Sequence, residues 1–205
     1  DTMSGGAGND RIVMDSLDTS VNGGADFDRV SVAGSGGVNL NMTLSQIERA
    51  AGNSGNDTFD ATGKNDFRVI IQGNGGSDRL LGGELADTIA GGAQSDTLFG
   101  NEGADRLFGE AGSDVLNGGL GRDKLSGGVG GFDIFEFNAD WNRDSISDFG
   151  VGMDKIRFEG VTDSAGGTLE FSDLELFADS AGNALVRVSG VSANDIRLLG
   201  VDFND

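Results

Sequence analysis

Between residues 73 and 137 the apolar and polar positions of this chain recur every nine residues. An apolar side chain returns at Leu80, Ile89, Leu98, Leu107, Leu116 and Leu125, each two residues after an aspartate and seven after a glycine. The units read GNGGSDRLL, GGELADTIA, GGAQSDTLF, GNEGADRLF, GEAGSDVLN and GGLGRDKLS. A seventh, GGVGGFDIF, shifts its aspartate by one position to Asp133. The spacing predicts a glycine-rich turn of six residues followed by a three-residue strand, whose middle apolar residue points inward. A flexible Gly-rich linker has no phased apolar residue. No unit can bury that residue alone, so the units must stack into a solenoid.

Upstream the spacing loosens. One full unit opens the chain (Gly5-Gly6-Ala7-Gly8-Asn9-Asp10-Arg11-Ile12), and turns at Gly23–Asp28 and Gly52–Asp57 follow. Between them lie alternating stretches such as Val38–Met42 and Arg68–Gln72, which predict wider coils of the same solenoid with longer strands. Residues 43–51 are expected to form a short helical turn. Downstream of 137 glycine thins out. Polar and apolar residues alternate in Asp144–Phe149, Asp154–Phe158, Ala184–Val188 and Asp195–Leu199, a pattern expected of antiparallel hairpins with one buried face. The predicted architecture is all-β: an irregular wide-coil start over 1–66, a right-handed parallel β-roll over 67–137 and a β cap over 138–205. Trp141 and Phe149 are expected in the core of that cap.

Charge then narrows the chemistry. The 205 residues include 34 acidic and 14 basic side chains, a formal net charge of -20. Such a polyanion resists collapse unless cations bind it, and nucleic acid or an anionic membrane is an unfavourable partner. With no cysteine and no histidine, the chain offers no disulfide, zinc–thiolate site, Ser-His-Asp triad or histidine-based zinc hydrolase. No apolar run approaches the length of a membrane span. The first residues lack the basic and apolar segments of a signal peptide and run straight into a repeat, so the chain is expected to begin inside a longer protein.

The repeated aspartates say which cation. Calcium takes six to eight oxygen ligands in flexible geometry, whereas magnesium demands a tight octahedron and keeps its waters. A glycine-rich turn with one aspartate supplies one carboxylate and several carbonyls, which is half a site. If turns alternate between two sides of a flattened roll, turns two apart in sequence become neighbours. Asp78 then pairs with Asp96, Asp96 with Asp114 and Asp114 with Asp133; on the other side Asp87 pairs with Asp105 and Asp105 with Asp123. Asp10, Asp57 and Asp28 are further candidate ligands, and Gly92, Gly100, Gly103, Gly109, Gly112, Gly118 and Gly121 are candidate carbonyl donors. Several calcium ions are therefore expected. Asp144 and Asp148 fit either a ligand role or a solvated strand face. Leu85 and Gln94, at the fourth position of their turns, are each asked to adopt a glycine conformation. Arg106, Arg122 and Lys124 are expected to offset charge on the outer surface.

The unit resembles the repeats-in-toxin (RTX) calcium nonapeptide, G-G-x-G-x-D-x-U-x. Residues 5–13 and 118–126 match every fixed position, while Asn74, Asn101 and Glu110 replace the second glycine, Leu85 and Gln94 the fourth, and Asp26 a glycine of its turn. The segment Asp144-Ser-Ile-Ser-Asp148-Phe149 with Gly152-Met-Asp154-Lys155-Ile156 resembles the end of the calcium roll in serralysin-type secreted proteases. Gly182–Val188 and Ile196–Phe203 resemble the C-terminal region of type I secreted proteins. The resemblance implies a secreted, extracellular or cell-surface protein, exported unfolded through the type I machinery and folded by external calcium. Protease chemistry does not carry over, since no zinc-binding histidine is present. The expected function is a non-catalytic calcium module that supports secretion and stability of a larger exported protein. An adhesion, surface-layer or glycan-binding module remains an alternative, as does the non-catalytic tail of a secreted protease, lipase or polysaccharide-modifying enzyme. A contiguous aromatic or Thr-rich outer stripe would favour the binding reading, and the sequence shows none.

Overall fold

A computed structural model describes residues 1–138, 142–150, 153–162, 174–178, 183–188 and 195–202. It is a parallel β-roll, two facing sheets joined by alternating turns. In chain order the strands are β1 (Thr2–Ala7), β2 (Arg11–Met14), β3 (Ser20–Ala25), β4 (Arg29–Val32), β5 (Asn39–Asn41), β6 (Arg49–Ala51), β7 (Thr58–Asp60), β8 (Ile70–Gly75), β9 (Arg79–Leu81), β10 (Thr88–Ala93) and β11 (Thr97–Phe99). They continue with β12 (Glu102–Gly103), β13 (Arg106–Ala111), β14 (Val115–Asn117), β15 (Leu120–Gly121), β16 (Lys124–Val129), β17 (Ile134–Phe137), β18 (Asp144–Ile146), β19 (Lys155–Phe158), β20 (Leu174–Ala178), β21 (Asn183–Val188) and β22 (Asp195–Asp202). One sheet runs β2-β4-β6-β8-β10-β13-β16-β18-β22-β21-β20, the facing one β19-β17-β14-β11-β9-β7-β5. Two small sheets, β1-β3 and β12-β15, pair segments next to the turns.

Register explains why the phased apolar residue matters. Ile71, Ile89, Leu107, Leu125, Ile146 and Leu198 stand directly above one another in the larger sheet. Phe59, Leu80, Leu98, Leu116, Phe135 and Ile156 do the same in the smaller one. These two ladders meet inside the roll and form the centre of its core, with Leu80, Ile89, Leu98, Leu107 and Leu116 fully buried. The neighbouring strand positions face outward. Arg11, Arg29, Arg49, Arg106 and Lys124 share one outer register of the larger sheet, with Ile70 and Thr88 between them. Arg106, Arg122 and Lys124 are exposed, as their role in offsetting charge requires.

The loosened N-terminal third belongs to the same roll, but its width lies in the turns. β5 spans only Asn39–Asn41, so the longer strand expected over Val38–Met42 does not form, whereas β8 runs six residues. The extra residues bulge out at 42–48 and 61–69. The first bulge holds the expected helical turn, α1 (Met42–Ser45), capped by Asn41 at its start and by Gln46 in the left-handed conformation at its end. Ile47 seals this bulge against the core.

The C-terminal region departs from the antiparallel reading. β18 pairs parallel to β16, and β19 parallel to β17. Residues 144–158 are thus a further coil of the roll, because two-residue alternation marks a half-buried strand without fixing its direction. Antiparallel pairing begins only at β20-β21-β22, and β22 joins the roll parallel to β18. Phe149 packs against the core with its ring centroid 6.1 Å from that of Phe135. Trp141, Gly152, Gly182 and Phe203 lie outside the described residues.

The ladder predicts an inside–outside asymmetry. Leu107→Ala should cost about 2–5 kcal/mol in urea unfolding with calcium present, since neighbouring rungs fix the cavity walls. Phe108→Ala, on the outer face at 37% exposure, should cost less than half as much. Equal losses would show that the outward register contributes to the core.

Candidate metal sites

Turns that precede strands of the larger sheet stack on one side of the roll, and turns that precede strands of the smaller sheet stack on the other. Each stack carries a column of acids. On the first side the column is the half-buried Asp10 and the buried Asp28, Glu48, Asp87, Asp105, Asp123 and Asp144; on the second it is Asp57, Asp78, Asp96, Asp114 and Asp133, continued by the half-buried Asp154.

One hydrogen bond builds both columns. The backbone N–H of one acid donates to a carboxylate oxygen of the acid one coil further on: Asp78 to Asp96 (2.7 Å), Asp96 to Asp114 (2.8 Å), Asp114 to Asp133 (2.9 Å), Asp87 to Asp105 (2.7 Å), Asp105 to Asp123 (2.8 Å) and Asp123 to Asp144 (2.8 Å); between Glu48 and Asp87 the position is held by Val69, whose N–H donates to Asp87. Asp57 donates in the same way to Asp78 (2.7 Å) and Asp10 to Asp28 (2.8 Å). All the aspartate neighbours expected from spacing are therefore brought together. The turn at 127–133 absorbs its extra residue with Gly128, Gly130 and Gly131 all at positive φ, so Asp133 keeps its place.

The second oxygen is different. Oδ2 of Asp10, Asp28, Asp78, Asp96, Asp105, Asp114, Asp123 and Asp144 is buried and meets no hydrogen-bond donor. All of these but Asp144 fold back over the first glycine of their own turn. At Gly100 a Cβ would collide with Oδ2 of Asp105 and with the carbonyl of Gly118 in the next turn, so glycine is required by space. The fourth position has a conformational requirement. Gly112 has φ +147°, and a Cβ there would strike the carbonyl of Gln94 one turn below. Carbonyls of Gly91, Gly118 and Gly127 lie beside Oδ2 of Asp78, Asp105 and Asp114. A bare anionic oxygen in contact with a carbonyl is unfavourable unless a cation lies between them. Oxygen donors alone, from two acids plus carbonyls, fit calcium and not a soft metal. Among the described residues no three acidic side chains converge on one point, so carbonyls must complete each shell.

Not every turn is open in this way. At 82–87 the N–H of Gly83 donates to Oδ2 of Asp87 (2.6 Å), and at 52–57 the N–H of Asn53 donates to Oδ2 of Asp57 (3.0 Å). Neither turn contains a residue at positive φ. Leu85 therefore does not adopt the glycine conformation expected of it; its turn folds inward instead. Gln94 does adopt it, at φ +79°, as do Asp26, Asn74, Asn101 and Glu110. Asn74 and Asn101 stand directly above the two inward turns, and their side-chain amides donate to the carbonyls of Gly52 (2.8 Å) and Gly82 (2.7 Å).

Two members of the first column escaped the spacing argument. Glu48 takes an aspartate's place: its Oε2 accepts the N–H of Asp28 at 2.7 Å, and its Oε1 meets the buried ammonium of Lys64 at 2.9 Å. The signal that finds it is the acid-Arg-apolar triplet, Glu48-Arg49-Ala50, shared with Asp10-Arg11-Ile12 and Asp28-Arg29-Val30. Asp144 is buried in the column and not solvated on a strand face. Asp148 is exposed and binds the turn below, accepting from Gly127 N–H, Gly128 N–H and the Ser126 hydroxyl.

Without a metal, burial above all pushes the column carboxyls up: Asp78, Asp114 and Asp123 to about 6, Asp96 to about 7, and Asp105 and Asp144 to about 8, against an ordinary 3.8. For all of these but Asp123, neighbouring carboxylates add to the rise.

Comparison with known proteins finds the same repeat. Residues 1–13 and 51–131 match the RTX calcium-binding nonapeptide repeat in overlapping stretches (1–13, 51–89, 72–107, 81–116 and 99–131). The solution structure of the AlgE6R3 subunit from the Azotobacter vinelandii mannuronan C5-epimerase is similar at 29% identity and a TM-score of 0.43, over 57% of this chain and 72% of that one. The crystal structure of the extracellular lipase LipA from Serratia marcescens is similar at 17% identity and a TM-score of 0.41, over 86% of this chain and 38% of that one. No curated protein matches the chain. No helix among the described residues is long and apolar enough to cross a membrane.

The raised carboxyls fix a sign for pH. The metal-free roll holds protons that the unfolded chain releases near pH 4, so its stability is fully present below about pH 4 and is lost as pH rises through 6–8. In chelator, the β signal in circular dichroism should persist at pH 4 and vanish by pH 8. Calcium must displace those protons, so its midpoint should move to lower concentration as pH rises from 6 to 8. A midpoint independent of pH over that range would contradict the buried column.

Proposed function

We propose that this chain, which carries RTX calcium-binding nonapeptide repeats over 1–13 and 51–131, is a calcium-dependent folding module of a larger exported protein. Calcium ions stand between stacked turns. Their ligands are the carboxylates of Asp10, Asp28, Asp78, Asp96, Asp105, Asp114, Asp123 and Asp133, with carbonyls such as those of Gly91, Gly118 and Gly127. The observation that carries this reading is the set of buried Oδ2 atoms with no donor. Carboxylates shared along each column offset much of the charge of the divalent ions between them. Binding free energy then becomes folding free energy, as in other metal-dependent domains.

The module serves export. With a net charge of -20 and its acids uncompensated, the chain stays unfolded where calcium is scarce, which suits passage through a type I exporter. Outside the cell calcium neutralises the columns and the roll closes. The chain itself is non-catalytic: it has no histidine and no cysteine.

Calcium titration at pH 7.5 tests the reading. Circular dichroism should change from coil to β at about sub-millimolar to millimolar calcium, the range of extracellular modules, and magnesium should not substitute. A cooperatively melting β protein in excess chelator at that pH would refute it. The folded, calcium-loaded chain should turn over no casein, ester or glycan substrate; measurable turnover by purified 1–205 would show a catalytic site that the acid columns do not account for.

A further inference from the structure

The acid columns are not open along their whole length. We propose that the middle of the roll is closed by the chain's own donors, so that calcium binds in two separate zones with a metal-free belt between them. The inference rests on the calcium reading above.

Three observations carry it. First, a column aspartate has its Oδ2 satisfied by its own turn at Asp57, at Asp87 and at the last acid, Asp154; above Asp57 and Asp87 the residue stacked at the second turn position is an asparagine whose amide bonds the carbonyl of the first glycine below. Above the bare Oδ2 atoms of Asp10, Asp78, Asp96, Asp105 and Asp114 that position holds Gly24, Gly92, Glu110, Gly119 and Gly128, none of which offers a side-chain donor. N–H groups thus fill Oδ2 of Asp57 and Asp87 from within the turn and the first glycine's carbonyl of the same turn from above, and a cation is repelled from donors. Second, Asn53 does the same one coil earlier, its amide donating to the carbonyl of Gly36 (3.0 Å) where the turn below has Val38 in place of an acid. Third, on the other side Glu48 repeats the aspartate geometry with one substitution. Its Oε2 accepts the N–H of the acid below, and its Oε1, counterpart of the bare Oδ2, meets the Lys64 ammonium. Lys64 and Glu48 are 3% and 1% exposed, so this cation is interior. At the one column position where an acid's second oxygen has a charged partner, that partner is a cation supplied by the chain.

Calcium therefore occupies an N-terminal zone at Asp10 and Asp28 and a C-terminal zone at Asp78, Asp96, Asp114 and Asp133 on one side and Asp105, Asp123 and Asp144 on the other. Asp57 and Asp87 hold no ion, against the expectation from spacing. Asn74 and Asn101 are not tolerated glycine replacements; they mark closed positions.

Native mass spectrometry of the full chain at saturating calcium counts the ions. Asp105→Asn should lose at least one, while Asp87→Asn should keep the wild-type number; a loss at Asp87→Asn overturns the proposal. The paired change Leu85→Gly with Asn101→Gly restores glycine at both contacts and should gain one ion; an unchanged count overturns it. Lys64→Met leaves Glu48 without its cation. It should take up one further ion or raise the calcium midpoint of folding at least tenfold, with Glu48→Gln added to it restoring the wild-type midpoint. A Lys64→Met chain with unchanged count and midpoint overturns the internal-cation assignment. If the wild type binds no calcium at all, the calcium reading itself fails; if it binds calcium and the variants behave alike, only the belt does.

Discussion

Everything in this roll depends on how a buried carboxylate is shared between two neighbouring coils. One oxygen accepts the N–H of the acid in the coil below and fixes the stacking register. The other is left facing carbonyls. The first contact is a charge-assisted hydrogen bond and is favourable by itself. The second is repulsive until a cation arrives. The two cannot be separated, because one side chain makes both. Stacking the coils buries the core ladders, but it also assembles rows of like charge in a place water does not reach. A leucine fully buried contributes about 1.5–3 kcal/mol, and desolvating an unpaired carboxylate costs several. The ladder alone therefore does not hold the roll closed at neutral pH, and the missing favourable term has to be a positive charge or a proton.

The regular block was legible because three constraints share one period. Space demands glycine at the first turn position, the carboxylate follows five residues later, and the inward strand position follows two after that. Gly100, Asp105 and Leu107 illustrate the frame: a Cβ would collide at the first, and the second and third are buried. Legibility failed where one constraint was met by different means. At Glu48 a longer acid reaches the column from a widened turn, so the nine-residue frame passes over it. At 144–158 the glycines thin out while the acids and apolar residues continue, and alternation alone did not distinguish another parallel coil from a hairpin. At 82–87 the sequence departs at Leu85, and the turn folded inward in preference to forcing a branched side chain into the left-handed region.

That last case shows how little the turn's sequence must change to alter its chemistry. The turns at 82–87 and 100–105 differ at only the second and fourth positions, Gly83 and Leu85 against Asn101 and Gly103. With left-handed residues at both positions, the second N–H points away and Oδ2 stays bare. Without them the same N–H turns in and fills the acceptor. The motif is thus a backbone switch between an anion that needs a cation and one that does not. The left-handed pair sets it, and the aspartate only responds.

The geometry also explains why the outer basic residues cannot do the work of calcium. Arg11, Arg29, Arg106 and Lys124 each follow a column acid directly, yet successive strand residues face opposite ways and these four are exposed. Their charge acts on the column through solvent, where it is screened. At the first position of a six-residue turn even a Cβ collides, as at Gly100 and Gly118. Lys64 succeeds because its turn, 61–69, is wider than the regular 82–87 and carries the ammonium inward from a bulge. An internal cation thus needs a longer coil, and a compact coil needs one from solution. The nine-residue period keeps the ladders in register without a bulge and so leaves its charge to be balanced from outside.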